Sequence, residues 1–159
     1  MTEHDAFIRA LSAATRQSDV FDALHDLARA VPGVRLFTLM TVDMEAGLAR
    51  RAYTSDPASY PTSGTKPIER NSWFDIVHDR REAFVANTLA GIAEVFPDHA
   101  LIGSLGCGAV INLPVILRGD LVATVNLLDA EGSYTPDRVA QARSALTLPA
   151  MAAMLLPSS

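Results

Sequence analysis

A chain of 159 residues, 49% of them apolar and 19% charged, is long enough for one domain with a sizeable core. Its mean hydropathy of +0.19 excludes intrinsic disorder, which requires low hydrophobicity and high net charge. The formal charge of −5, with no basic cluster beyond Arg50-Arg51 and Arg80-Arg81, argues against a nucleic-acid partner. The lone cysteine, Cys107, rules out an internal disulfide, and Met1-Thr2-Glu3-His4-Asp5 lacks the basic start and apolar core of a signal peptide. The apolar stretch from Ala142 to Leu156 is shorter than the roughly 20 residues that cross a bilayer and is interrupted by Pro149, so it reads as a packing helix. A cytoplasmic chain with no membrane segment is expected.

Between Glu3 and Ala30, Phe7, Leu11 and Ala14, then Phe21, Leu24 and Ala28, recur at the steps of one helical stripe. The pattern allows a break near Gln17-Ser18, with Ser18 as N-cap, and Pro32-Gly33 ends the run. Val34 to Asp43 and Leu48 to Thr54 are rich in strand-forming residues and predict a hairpin around Met44-Glu45-Ala46-Gly47. From Ser55 to Arg70, Pro57, Pro61, Pro67 and Gly64 lie among Ser and Thr, which predicts a long surface loop able to cover a pocket. Ser72, with Asp75 as the acid of a capping box, opens a short helix carrying Trp73 and Phe74, and Arg80-Arg81 suit its negative end.

Ala83 to Ala86 then reads as a strand, Gly91 to Phe96 as a helical turn and Ala100 to Leu105 as a helix before Gly106-Cys107-Gly108. Ala109 to Leu117 and Asp120 to Asp129 are apolar strands reversed at Arg118-Gly119-Asp120 and belong at the sheet's centre. Thr135-Pro136-Asp137 starts a last helix that runs toward Leu156, with proline in the first turn where its missing N–H does no harm. Hairpins outnumber crossovers, so the expected fold is α+β: an antiparallel sheet of about five or six strands, with terminal helices over 3–30 and 136–156 on one face.

Ala109-Val110-Ile111-Asn112-Leu113-Pro114-Val115-Ile116, then Arg118-Gly119-Asp120-Leu121-Val122-Ala123-Thr124-Val125-Asn126-Leu127, resembles the GAF family: a strand with a Val/Leu-Pro pattern, a charged-Gly turn and an apolar strand. The resemblance covers about residues 19–155, and Ala123 stands where many members have Gly. It implies a sheet with terminal helices on one face, often paired across a dimer, and a small-molecule pocket under loops on the other. Members bind cyclic nucleotides, haem, bilins, amino acids or metal clusters, and most are fused to an output domain, for which the 159 residues leave no room. A stand-alone module that signals by association with another chain is expected.

Phe96-Pro97-Asp98-His99 is similar to a Phe-x-x-His segment of the free methionine-(R)-sulfoxide reductases, themselves single-domain GAF proteins. Their cysteines are not matched: the corresponding stretches read Ala100-Leu101-Ile102-Gly103 and Ala86-Asn87-Thr88-Leu89. Sulfoxide reduction by thiols needs an attacking thiolate and a resolving partner, and one Cys107 supplies neither pattern. No His follows Cys107, as it does the bilin-linking cysteine of phytochrome-like domains, and Asn87 precedes Thr88 instead of the Lys of the cyclic-nucleotide phosphodiesterase signature.

Each candidate residue has a bland reading beside the functional one. Cys107, between two glycines, is either an accessible sensor or nucleophile or a small buried hydrophobe. Asp98 either caps the helix before Ala100 or, with His99, contacts a ligand. Asn112 and Asn126 interrupt apolar strands and either line a pocket or pair with each other. Trp73, Phe74 and Phe96 either stack on a flat ligand or fill the core. His4, His25, His78 and His99 match no metal spacing.

The expected function is non-enzymatic sensing: a homodimer through its terminal helices, with an unidentified small molecule near Trp73, Phe74, Asn87, Phe96, Asp98, His99, Cys107, Asn112 and Asn126. The sequence singles out no cofactor. Alternatives are a thiol-dependent enzyme using Cys107 with His99, and a ligand-free dimerisation module.

Overall fold

The computed structural model describes residues 2–158. Helix α1 (Glu3–Ala13) opens with a capping box in which the Thr2 hydroxyl accepts from the Asp5 N–H and the Asp5 carboxylate accepts from the Thr2 N–H. Helix α2 (Ser18–Ala30) follows a turn whose Thr15 and Arg16 N–H groups donate to the Asp19 carboxylate. The break falls where expected, but Gln17 occupies the N-cap position, Ser18 is the first helical residue, and it is Asp19 that holds the turn.

The strands are β1 (Leu36–Asp43), β2 (Leu48–Thr54), β3 (Lys66–Pro67), β4 (Phe84–Ala86), β5 (Ala109–Leu117) and β6 (Asp120–Asp129). They form one antiparallel sheet in the order β3-β2-β1-β6-β5-β4. The expected α+β sheet is present at six strands, with β5 and β6 near its centre. Its sixth member, β3, lies inside the segment read from sequence as loop: Lys66 and Pro67 pair with Ala49 and Leu48. Arg118 and Gly119, at φ of 54° and 79°, form the two-residue turn of the β5–β6 hairpin, matching the twist of the strands.

Helix α3 (Ser72–Phe74) continues as a π-helical turn over Asp75–Asp79. Its cap is Asn71, whose side-chain oxygen accepts from the Phe74 N–H, and not Ser72 as expected. Helix α4 (Leu89–Ala93), capped by Thr88, starts ahead of the expected turn; α5 (His99–Ser104) and α6 (Pro136–Met154) complete the chain. Among the described residues no helix is long and apolar enough to cross a membrane.

Period-two alternation splits the central strands between two cores. Phe37, Leu39, Ile111, Leu113, Val125 and Leu127 pack under Phe7, Leu24, Leu27, Ala142 and Leu146 of α1, α2 and α6. The intervening residues face a second layer built from Tyr60, Trp73, Phe74, Val77, Ile92 and Ile102. Both faces are therefore covered, which is why β5 and β6 read as near-continuous apolar runs.

His25 of α2 stacks on the Phe37 ring, centroids 5.5 Å apart. Burial, and secondarily Arg29, hold its imidazole pKa below the ordinary value, against the opposite pull of Asp26 and Asp22. The unfolded chain thus takes up this proton more readily than the folded one. The stabilisation is fully present above the unfolded pKa of about 6.5 and is lost as pH falls below it. The melting temperature is expected to drop between pH 7.5 and 5.5, less so in His25→Gln; an equal drop in both proteins would assign the effect elsewhere.

Candidate functional site

The strand register lines up three polar side chains on the face away from the terminal helices: Asn112 of β5 lies opposite Asn126 of β6, which lies opposite Thr38 of β1. They are joined edge to edge. The Trp73 indole N–H donates to Asn112 Oδ1 at 3.0 Å, Asn112 Nδ2 to Asn126 Oδ1 at 2.6 Å, and Asn126 Nδ2 to Thr38 Oγ1 at 3.0 Å. The row has a fixed direction because an indole N–H can only donate: it requires the oxygen of Asn112, which turns the Asn112 amide nitrogen to Asn126, and so on to Thr38. Thr38 and Asn112 are each 3% exposed, so this is a buried network in which every link matters.

Above this floor is a cavity of about 550 Å³. Met40, Val42, Ile68, Phe74, Val95 and Leu128 contribute to its apolar walls, and Thr38, Asn112, Thr124 and Asn126 to its polar floor. Thr124 is fully buried, and its Oγ1 has no hydrogen-bond partner. Nearer the solvent, Tyr60 folds in from the long loop and its hydroxyl donates to the Asp98 carboxylate. The Arg51 guanidinium lies 3.7 Å over the Tyr60 ring, 3.4 Å from Asp98, and donates to the Pro61 carbonyl at 2.7 Å. Burial, then the bond to Asp98, push the Tyr60 phenol pKa up, so it stays a protonated donor. The expected loop therefore closes over the sheet, pinned at Tyr60 and Pro61.

The structure brings Trp73, Phe74, Phe96, Asp98, Asn112 and Asn126 together around this cavity. For the two asparagines both readings hold, since they pair with each other and line the space. Asp98 occupies the N-cap position of α5 but makes no side-chain cap bond, its carboxylate being turned to Tyr60 and Arg51. Asn87, His99 and Cys107 are not among the lining residues. Asn87 bonds both the N–H and the carbonyl of Tyr134, bracing the approach to α6. His99 Nδ1 lies 3.0 Å from the Phe96 carbonyl, at the start of α5. Cys107, 4% exposed, lies beyond the other end of that helix. Burial raises its thiol pKa, partly offset by Arg35, which keeps it protonated and poorly nucleophilic at neutral pH.

Sequence reasoning missed Arg51, Tyr60, Thr38 and Thr124. The threonines carried a signal, since each sits an even number of residues from a wall residue or asparagine on its own strand; only the register was lacking. Among the described residues no group of His, Cys, Asp and Glu is placed to hold a metal ion.

No family model and no curated protein matches the chain in sequence. Solved structures do match in shape. The GAF domain of a two-component sensor histidine kinase from Bacillus halodurans superposes with a TM-score of 0.71 at 12% identity, covering 89% of this chain and 96% of that one. The GAF domain of a phosphoenolpyruvate-protein phosphotransferase from Coxiella burnetii gives 0.65 at 17% identity, over 96% and 89% of the two chains. The free methionine-R-sulfoxide reductase of Neisseria meningitidis, solved with its substrate, gives 0.60 at 14% identity, over 96% and 85%. The chain has the GAF-domain fold, as the resemblance of its β5–β6 segment implied.

Proposed function

We propose that this chain is a non-enzymatic sensory or regulatory module that holds a small molecule between its sheet and the Tyr60 loop. The observation that carries the reading is the cavity: about 550 Å³ of mostly apolar wall over a few convergent polar groups is the usual form of a small-ligand site. The sensor-kinase origin of one structurally similar GAF domain supports a sensory role. Exposed Ile8 on α1, Leu148 on α6 and Leu155 just beyond it favour pairing of two copies through the terminal helices, with output by association with another protein. A single cysteine suits a reducing cytoplasm.

Native mass spectrometry of protein purified from its own cells, repeated after denaturation, tests the reading. An excess mass that vanishes on unfolding is expected. No excess mass, together with a flat thermal-shift screen of small metabolites, would leave only the dimerisation module.

A further inference from the structure

Several side-chain hydrogens of the cavity floor have no partner within the protein. In the row from Trp73 to Thr38 each side-chain oxygen receives one hydrogen bond, while each asparagine keeps a second N–H and Thr38 keeps its O–H. A buried oxygen with one accepted bond is adequately served; a buried hydrogen facing no acceptor is not. Thr124 stands two places before Asn126 on β6 and so on the same face of the sheet. Its hydroxyl is, among the described residues, the one buried side-chain N or O atom without any partner. An orphaned polar atom in the wall of an otherwise well-satisfied site marks where an occupant's polar group belongs.

The charges of the lining are distributed unequally. Arg50, Lys66 and Glu69 are exposed, and Arg51 and Asp98 are part-exposed and paired with each other, whereas Thr38, Asn112, Thr124 and Asn126 are uncharged. A carboxylate on the floor would be buried with no cation beside it, and an ammonium with no anion. A neutral acceptor escapes both costs.

Resting on the reading of this cavity as a ligand site, we propose that its occupant buries an uncharged carbonyl group, as in an amide, lactam or ketone, against Thr124 and the Asn112–Asn126 amides. Its apolar body then lies along Met40, Trp73 and Phe74.

Four probes of matched size separate the possibilities: 3-phenylpropanamide, 3-phenylpropanoate, 3-phenylpropylamine and propylbenzene. Each is titrated into the full chain while the side-chain amide resonances of Asn112 and Asn126 and the indole N–H of Trp73, the sole tryptophan, are followed by NMR. The amide is expected to bind about tenfold more tightly than propylbenzene, and the two ions no more tightly than propylbenzene. Thr124→Val is expected to cut the amide's advantage and leave propylbenzene binding intact, while Thr124→Ser, which keeps the hydroxyl, preserves it. Equal binding of amide and hydrocarbon, a preference for either ion, or an amide advantage unchanged in Thr124→Val overturns the inference while the ligand-site reading stands. Silence from all four probes overturns the inference, and the native mass spectrum alone then decides the ligand-site reading.

Discussion

Replacing Asn112 by leucine is expected to destabilise the fold by about 2–4 kcal/mol, although leucine is of similar size and β5 is otherwise apolar. The side chain both accepts from the Trp73 indole and donates to Asn126, so its loss leaves the buried Trp73 N–H and the part-buried Asn126 carbonyl without their partners. For a chain of this length the melting temperature should fall by roughly 4–16 °C. The cause is separable by a double-mutant cycle. Trp73→Phe removes the stranded N–H, so the Trp73→Phe, Asn112→Leu double variant should lose less stability than the two single losses summed. Strict additivity would show that the indole bond carries no energy of its own.

Phe37→Ala should cost about 3–5 kcal/mol, the range for emptying a buried aromatic site. Phe37 is fully buried on the helix-facing side of β1, stacked on His25 and edge-on to Tyr53 at 5.9 Å. Sheet backbone on one side and α2 on the other leave the hole little room to collapse. Denaturant unfolding should show a lower midpoint at unchanged slope. A loss below about 1.5 kcal/mol would mean that α2 settles onto the sheet and that the helical layer is softer than its packing suggests.

These two positions illustrate what the sequence displayed and what it hid. Phe37 belongs to a run whose composition alone announces a strand, and the two N-terminal helices announced themselves by the spacing of Phe7, Leu11, Phe21 and Leu24. The β5–β6 hairpin was equally plain, because Arg118-Gly119 is a turn in its own right. Asn112 and Asn126 stood out as amides in apolar strands, but their partnership with Thr38 and Trp73 depends on which residues face one another across three strands. Strand β3 left no trace, since a two-residue strand holding Pro67 owes its existence to the exposed edge of β2. The Arg51–Tyr60–Asp98 cluster was hidden for a related reason: its members come from a strand, a proline-rich loop and a helix N-terminus, and only the folded chain closes the distance.

The donor-only indole has a consequence beyond stability. A chain of amides and a hydroxyl can in principle run either way, each link reversing with its neighbours, as a line of dominoes can fall left or right. Trp73 removes the choice, so the orientation of a hydroxyl hydrogen on β1 is dictated from a short helix three hydrogen bonds away. Histidine at that position, able to accept as well as donate, would let the whole line turn over together, changing what the far end presents by rotation of two side-chain amides while the strand backbone stays in place.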